Sequence, residues 1–430
     1  MKYHPIGQEL FVHNRHNLAK HLKPSSIAIL HSNDVMPTNA DGTMPFKQNS
    51  DLFYLSGIDQ EESILLLFPD ARDPRMQEIL FVRETNEHIL TWEGYKLTKQ
   101  QAQEVSGIKT IFWTHEFNSV LHALVSEAEH VYLNSNEHPR AVVEVETRDA
   151  RFVKWMKEHY PLHRYERLAP VMHLLRAIKS EAEVAMIKQA CQITEKAFRR
   201  LLGFIKPGVM EYEIEAEIYH EFLRNRSRGP AYQPIIASGA NACILHYIDN
   251  FRECKDGDLV LMDFGAEYAN YASDLTRTVP VNGTFSKRQR EVYDAVLRVM
   301  KAATQMLVPG NTLAQYHQFV GTVMENELIR LDLLNESDVR NQDPKNPLYK
   351  KYFMHGTSHH LGLDVHDVGD KHRAFEEGMV FTCEPGIYIK EEGIGIRLEN
   401  DILIKSNGPV DLMASIPLEA EDIEQLMQRR

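Results

Sequence analysis

Short apolar runs alternate with polar, helix-like stretches through residues 1–170 of the chain. Each run has the length of a buried strand, and the polar stretches between them are long enough to form helices. The pattern predicts a small α/β domain. Its strand candidates are SIAIL (26–30), SILLLF (63–68), EILFV (78–82), TIFW (110–113) and HVYLN (130–134).

From Ser180 onward the apolar positions recur with the period of an α-helix. The phrase SEAE is a capping box, in which Ser180 and Glu183 can each bond the other's backbone amide. This helix is expected to end at the Pro-Gly pair 207–208, and a second helix follows. The buried face of the second helix is predicted to contain Ile214, Ile218 and Phe222.

The same order of elements returns later in the chain. SKRQ (286–289) is another capping box, its helix runs to a second Pro-Gly pair at 309–310, and another helix follows. Each copy is then followed by a β-hairpin pattern. The C-terminal part is therefore predicted to be an α+β domain built from a duplicated helix-helix-hairpin unit, and the predicted domains are 1–172 and 173–430.

Composition and charge narrow the choice of partners. Hydrophobic residues make up 43% of the chain and charged residues 25%, as in ordinary soluble proteins. The formal net charge of −13 opposes binding to a phosphate backbone, so we expect no nucleic-acid partner. Neither a signal peptide nor a membrane span is evident, and the four cysteines form no CxxC pair, so a cytoplasmic location without membrane contact is expected.

Both hairpin patterns contain paired carboxylates. If the first turn is centred between Tyr268 and Ala269, Asp263 and Asp274 lie directly opposite each other, with Cβ atoms about 5 Å apart. In the second hairpin, a turn centred between residues 391 and 392 places Glu384 opposite Glu399. The duplication thus predicts two facing carboxylate pairs.

Opposed like charges on apolar strands are destabilising, so a compensating cation is expected. One alternative is that the carboxylates are exposed or pair with Arg277 and Arg397. The repetition of the pattern in both hairpins favours metal ions instead. Arg397 shares a strand face with Glu399 and can hold carboxylate ligands in place, while Tyr388 shares a face with Glu384 and can hydrogen-bond near the metals.

Four carboxylates with an imidazole suit two divalent ions such as manganese, cobalt, iron(II) or zinc. The imidazole is expected from the segment HGTSHHLGLDVHDVG, residues 355–369. Periodicity alone does not decide which of its histidines binds metal. The candidates are His355, His359, His360 and His366.

These segments resemble the motifs of the pita-bread metallopeptidases and, more narrowly, those of the aminopeptidase P family. The resemblance rests on LMDFGAEYANYASDLTRT, HGTSHHLGLDVHDVG, CEPGIYI and GIGIRLEND, and it extends through essentially the whole chain. It implies a pita-bread C-terminal domain that holds two metal ions, manganese first, with cobalt, zinc or iron as alternatives. The implied metal ligands are Asp263, Asp274, His359, Glu384 and Glu399, with Asp274 and Glu399 bridging the two ions.

The resemblance also implies roles for residues around the metals. His246, His355 and His366 would bind substrate and stabilise the transition state, with Glu384 as the proton shuttle. The phrase ADGTMPFKQNSDLFYLSGI (40–58) is similar to the aminopeptidase P version of this region. The remaining implied site residues are Arg397 among the catalytic group, and Asp41, Trp92 and Tyr388 near the substrate.

The activity implied by the resemblance is removal of the N-terminal residue from peptides whose second residue is proline. A prolidase, restricted to Xaa-Pro dipeptides, is the closest alternative, since it shares the ligands. A non-catalytic pita-bread binding module is the alternative from another class, and loss of ligands would be typical of it. A homodimer or homotetramer is expected, in which Asp41 and Trp92 reach the site of their own or of a neighbouring subunit.

Overall fold

The computed structural model describes residues 3–142 and 144–428. The chain forms two compact units, one of which spans His4–Arg176, while the other contains Tyr3 and the chain from Ala177 onward. Within the described residues, no helix combines the length and the apolar character needed to cross a bilayer. The four cysteines are unpaired, and three of them are buried.

The N-terminal unit is built on a six-stranded sheet. Its strands are β1 (Ser26–His31), β2 (Ile64–Leu67), β3 (Glu78–Val82), β4 (Thr110–Trp113), β5 (His130–Leu133) and β6 (Arg164–Arg167). Their order is β4-β3-β2-β1-β5-β6, with β2 antiparallel to both neighbours and the other pairs parallel. The five strands predicted from apolar runs are confirmed, whereas β6 (RYER) is a polar edge strand without such a run.

Helices and apolar strand residues form the core of this unit. Leu66, Phe81 and Val131 are fully buried, and Phe117 and Leu121 of the fifth helix pack in the same cluster. Such continuous burial is expected for strands covered on both faces. The helices are α1 (Gln8–Ala19), α2 (Ser50–Ser56), α3 (Glu87–Glu93), α4 (Lys99–Ser106), α5 (Phe117–Val125), α6 (Arg148–His159) and α7 (Ala169–Ala177).

The C-terminal unit begins with the predicted helix pair. The capping box of Ser180 and Glu183 is formed, and the predicted apolar face of the second helix is buried. A three-stranded sheet and a short ribbon follow, and these together form the first half of the unit. The elements are α8 (Glu181–Phe204), α9 (Glu211–Arg224), β7 (Ile235–Ser238), β8 (Leu259–Asp263), β9 (Glu267–Tyr268), β10 (Tyr271–Ala272) and β11 (Thr276–Pro280).

The second half repeats the helix-helix-hairpin order. Ser286 caps its first helix through the predicted capping box with Gln289. The main strands again form a long hairpin, in which Val380–Cys383 pairs with Asn400–Leu403 and Gly386–Ile389 pairs with Ile394–Arg397. The elements are α10 (Lys287–Thr304), α11 (Leu313–Arg330), α12 (Glu336–Arg340), β12 (Val380–Cys383), β13 (Gly386–Ile389), β14 (Ile394–Arg397), β15 (Asn400–Leu403), β16 (Val410–Asp411) and α13 (Ala420–Gln428).

Candidate metal centre

The first hairpin brings Asp263 and Asp274 close together, but in a register that differs from the prediction. Asp263 pairs with Thr276, so the expectation that Asp263 lies directly opposite Asp274 was wrong. The tip of the hairpin is formed by Ala269 and Asn270, both with positive φ, and it is centred one residue later than predicted. Two consecutive positive φ values are typical of tight hairpin turns, and they set this register.

The second hairpin has the predicted register. Cys383 pairs with Asn400 on one side of the break in the ladder, and Gly386 pairs with Arg397 on the other. Both pairs belong to the same register, which places Glu384 opposite Glu399. The prediction for this pair of glutamates is therefore confirmed.

One backbone bridge joins the two halves at the site. Thr276 pairs antiparallel with Glu399, whose amide donates to the carbonyl of Thr276 at 3.0 Å. The Thr276 hydroxyl also donates to Oε2 of Glu399 at 2.6 Å. Because Thr276 pairs with Asp263 on its other side, Asp263 of the first hairpin and Glu399 of the second flank the same residue of β11.

His359 enters the site from the segment beside β12. Its carbonyl accepts from the amide of Thr382 at 3.0 Å, and its Nδ1 lies 3.0 Å from the carbonyl of His360. That contact leaves Nε2 facing the carboxylates, 3.5 Å from Oδ2 of Asp274 and 3.6 Å from Oε1 of Glu384. Asp274, His359 and Glu399 offer ligand atoms that all lie within 4.8 Å of one another, as a metal ion requires.

The carboxylates of this cluster are buried close to one another, and their negative charges repel. Burial raises the pKa of Glu399 well above its ordinary value and that of Glu384 to about 7, and neighbouring carboxylates add to both shifts. Burial lowers the pKa of His359, but the carboxylates of Asp274 and Glu384 outweigh it and raise the value to about 9. A donor set of oxygen atoms and one imidazole fits hard or borderline divalent ions, which would remove this repulsion.

Arg397 supplies a permanent positive charge beside the carboxylates. Its Nη2 donates to Oδ2 of Asp263 at 2.6 Å, and its Nε donates to the hydroxyl of Thr276 at 3.1 Å. Its Nη1 donates to the hydroxyl of Tyr388 at 2.8 Å. The guanidinium therefore fixes Asp263 and Tyr388 through separate nitrogen atoms.

His355 continues this chain of hydrogen bonds. Because Tyr388 accepts from Arg397, its own hydroxyl proton is directed to Nε2 of His355 at 2.8 Å. Nδ1 of His355 lies 2.8 Å from the carbonyl of Gly356, so we assign the proton to Nδ1. Burial, assisted by the charge of Arg397, lowers the pKa of His355 to about 3, and the ring is neutral at ordinary pH.

Of the other candidate histidines, His246 and His366 are exposed, whereas His360 is buried. The ring of His366 lies 4.3 Å from that of His359, centroid to centroid, at an interplanar angle of 80°. His246 follows the 3-10 turn Gly239–Cys243. His246 is near enough to His355 for its charge to contribute to the lowered pKa of His355, after burial and Arg397.

Asp41 and Trp92 belong to the N-terminal unit. Asp41 is exposed in a turn that is closed by a bridge between Pro37 and Thr43. Trp92 lies on α3 with 77% of its surface exposed. The other predicted site residues all belong to the C-terminal unit.

Three polar residues of the site were not predicted. The hydroxyl of Tyr232 lies 2.5 Å from Oδ1 of both Asp263 and Asp274. The second is Thr276, whose hydroxyl donates to Glu399. The third is Asp401, which is fully buried and accepts from the amide of Asp274 at 3.1 Å. Tyr232 lies in an irregular segment before β7, where no periodicity exists to reveal it. Asp401 shares a strand face with Glu399, which was the available signal.

Comparison with known proteins agrees with this geometry. Residues 185–406 match Metallopeptidase family M24, and residues 11–132 match the Aminopeptidase P N-terminal domain. The Xaa-Pro aminopeptidase of Escherichia coli is 37% identical over 436 residues, which cover 98% of each chain.

Solved structures show the same relationship. The aminopeptidase PepP of Pseudomonas aeruginosa superposes with a TM-score of 0.90 at 33% identity, over 99% of each chain. A glutamate-to-alanine variant of Escherichia coli aminopeptidase P, in complex with substrate, gives 0.88 at 36% identity, also over 99% of each chain.

A metal-binding cluster between duplicated halves, with these matches, defines a metallopeptidase with the pita-bread fold. Within that class, the chain belongs to the aminopeptidase P family of Xaa-Pro aminopeptidases. The expected fold class, an α/β N-terminal domain followed by an α+β pita-bread domain, is confirmed.

Proposed function

We propose that this chain is a two-metal aminopeptidase that removes the N-terminal residue from peptides with proline in second position. The observation that carries the proposal is the convergence of carboxylates from both hairpins with the imidazole of His359. A buried cluster of this kind is unfavourable without cations and suits a dinuclear centre. Relatives that cover nearly the whole chain have this activity in their names.

The proposed metal ligands are the four hairpin carboxylates and one histidine. We propose manganese first, with cobalt, zinc or iron(II) as alternatives. Two divalent ions would supply Lewis acidity and generate a nucleophile from water near neutral pH. The ligands in this proposal are Asp263, Asp274, His359, Glu384 and Glu399.

Side-chain exposure separates the roles of the carboxylates. The side chain of Glu384 is 18% exposed, compared with 13% for Asp263 and 7% for Asp274. Glu384 is thus the carboxylate most accessible to substrate, and we assign proton transfer between the attacking water and the leaving amine to it.

The histidines also divide into two kinds. Both ring nitrogens of His355 are engaged, by Tyr388 and by Gly356. We therefore propose that His355 holds the Tyr388 hydroxyl in place, in contrast to the direct contact with the substrate that the family resemblance implies. His366 is exposed beside His359, and we assign stabilisation of the oxyanion to it. His246 is assigned to binding of the substrate.

Proline in second position removes the amide hydrogen from the bond that is cut. A site for this bond offers no acceptor to that position and instead surrounds the pyrrolidine ring with apolar atoms. The free amine of the substrate would lie near the metals. Fixing the amine sets the register, so that cleavage occurs after the first residue only.

The test compares Xaa-Pro, Xaa-Pro-Yaa and Xaa-Ala-Yaa at saturating manganese. The proposal expects the proline tripeptide to be cut at least as fast as the dipeptide, since additional residues add binding energy that is usable in the transition state. The alanine tripeptide and an N-acetylated proline tripeptide should survive. Hydrolysis confined to the dipeptide would identify a prolidase, and equal rates for the proline and alanine tripeptides would contradict the proline preference.

The assembly is proposed to be a homodimer or homotetramer in the cytoplasm, without nucleic-acid or membrane partners. The exposure of Trp92 supports a role at the site of a neighbouring subunit, and the net charge of −13 argues against nucleic acid. Light scattering on wild type and on Trp92→Ala tests the assembly. A monomeric wild type with full activity would contradict it.

A further inference from the structure

Glu211 is a fully buried carboxylate at the first position of α9. Its Oε1 accepts from the amide and the hydroxyl of Ser238, both at 2.7 Å. Its Oε2 accepts from the hydroxyl of Tyr247 at 2.7 Å and from the amide of Arg252 at 2.9 Å. Four donors and the N-terminus of a helix stabilise this buried charge and leave the carboxylate one position only.

All of these donors lie in residues 238–252, a segment that begins at the last residue of β7 and runs toward β8. This segment includes His246. One helical turn after Glu211, Oε2 of Glu215 accepts from Nδ2 of Asn250 at 2.9 Å. The side-chain oxygen of Asn250 accepts in turn from the amide of Ile236 at 2.9 Å. One face of α9 thus holds the segment on both sides of His246.

Tyr247 connects this anchor to the functional site. Its side chain is 5% exposed and packs in a cluster with Tyr388, whereas the preceding His246 is exposed. Tyr388 is the group that donates to His355 and accepts from Arg397. Because His246 directly precedes Tyr247, fixing Tyr247 also fixes the backbone of His246 relative to Tyr388 and His355.

We propose that Glu211 is a positioning residue, which acts through Tyr247 to hold His246 for the substrate. This inference rests on the proposed function, because it requires His246 to contact substrate. Helix α9 contributes none of the proposed ligands. In this proposal it sets the position of the substrate-binding histidine.

The chemistry of the anchor requires a carboxylate and not only a polar group. In Glu211→Gln the amide nitrogen must replace one oxygen. In either orientation it then faces a backbone N–H, that of Ser238 or that of Arg252, so two donors oppose each other. The isosteric variant should therefore release one end of the segment. Tyr247→Phe is milder, since it removes one hydroxyl and retains the packed ring.

The experiment measures kcat/KM on Xaa-Pro-Yaa for Tyr247→Phe, Glu211→Gln, His246→Ala and the double variant of Tyr247→Phe with His246→Ala. Tyr247→Phe should lose about tenfold, as expected for a lost hydrogen bond to a charged group. In the His246→Ala background, the same change should cost about twofold or less, because the two act as one unit. Metal content should stay at the wild-type level throughout.

Glu327→Gln is the matched control, since Glu327 is a buried glutamate on α11 that accepts from Arg298 and Arg330. It should leave kcat/KM within about twofold of wild type. The inference is overturned if Tyr247→Phe costs the same factor in both backgrounds, if it costs no more than the control, or if His246→Ala is fully active. A wild type that fails to cut proline peptides at all would overturn the proposed function together with it.

Discussion

The hydroxyl of Tyr232 lies between two carboxylates, 2.5 Å from an oxygen of Asp263 and 2.5 Å from one of Asp274. A hydroxyl has one proton, so it donates to one of these carboxylates at a time. Burial raises the pKa of Tyr232 well above its ordinary value, and the adjacent carboxylates add to this shift. The phenol thus remains a donor across the working pH range and orients the proposed ligands.

Replacing Tyr232 by Phe should weaken metal binding about 10-fold to 100-fold, the usual effect of removing a group that orients ligands. Calorimetric titration of the metal-free protein with manganese measures this. Tyr293→Phe is the control, because it removes the hydroxyl of a buried tyrosine that donates to the carbonyl of Leu418 and not to a proposed ligand. Unchanged affinity in Tyr232→Phe would show that the hydroxyl does not orient a ligand.

His359 and His366 should respond in opposite ways to substitution, although their rings are in contact. His366→Ala should lower kcat by about 10² or more with metal content near normal, as for loss of an oxyanion donor. His359→Ala should lose metal, since its Nε2 faces Asp274 and Glu384. Metal analysis and kinetics on the two variants check this, and loss of a metal equivalent from His366→Ala would reverse the assignment.

The sequence predicted those site residues that regular hairpins present. Glu384 and Glu399 follow from one turn position, and the error for Asp274 came from misplacing the first turn by one residue. Tyr232 was not predictable because it reaches the carboxylates from an irregular segment. The choice of His359 among neighbouring histidines depends on which ring nitrogen faces the carboxylates, and periodicity contains no such information.

At the scale of elements, a buried ion pair holds the segment that contains the histidines. Nζ of Lys179, just before α8, lies 3.0 Å from Oδ2 of Asp367, and each side chain is 1% exposed. A Cβ added to Gly362 would lie 2.2 Å from that same oxygen of Asp367, so only glycine allows this approach. The pair therefore links the start of α8 to the segment between His359 and the second hairpin.

Breaking this pair should be far more costly than breaking a surface pair. Lys179→Met leaves a buried carboxylate without its cation and should lower the free energy of unfolding by about 3–5 kcal/mol. Lys301→Met, which disrupts an exposed pair with Glu419, should change it by about 0–1 kcal/mol. Urea unfolding followed by circular dichroism compares the variants. Equal stability of the two would show that the buried pair contributes nothing.

Elements were predictable where local rules determine them. Capping boxes at Ser180 and Ser286 marked the starts of both long helices, and apolar runs marked the buried strands. The strand β6 was not predicted because its residues are polar and it lies at the sheet edge. The bridge between Thr276 and Glu399 joins residues far apart in the chain, and no local pattern encodes such pairing.

At the scale of the whole molecule, stability and function depend on the same buried charges. The halves of the C-terminal unit meet where the carboxylates are concentrated, so its folding places negative groups in a buried site. Such an arrangement is stable only when protons or cations neutralise it. The metals of the proposed reaction are for this reason also expected to hold the halves together.

Metal should therefore raise the melting temperature, and by more at pH 8 than at pH 5. In the metal-free protein, burial raises the pKa of Glu384 from 4.5 to about 7. Burial lowers the pKa of His359, but Asp274 and Glu384 outweigh this and raise it from 6.5 to about 9. A group with a raised pKa stabilises the folded state below its unfolded pKa, and this contribution is lost as pH rises through the folded value.

Both groups thus destabilise the metal-free protein increasingly between pH 5 and pH 8. Both must also release a proton before they can bind a metal ion, so the affinity for metal rises over the same pH range. Metal at about 100 times its dissociation constant should add about 2.7 kcal/mol at any one pH. At a fixed manganese concentration, the increment should then grow with pH. Scanning calorimetry with and without manganese at several pH values measures it, with Glu384→Gln as the variant that lacks one titrating group. An increment that is constant or shrinks from pH 5 to pH 8 would contradict the coupling of metal binding to proton release at these residues.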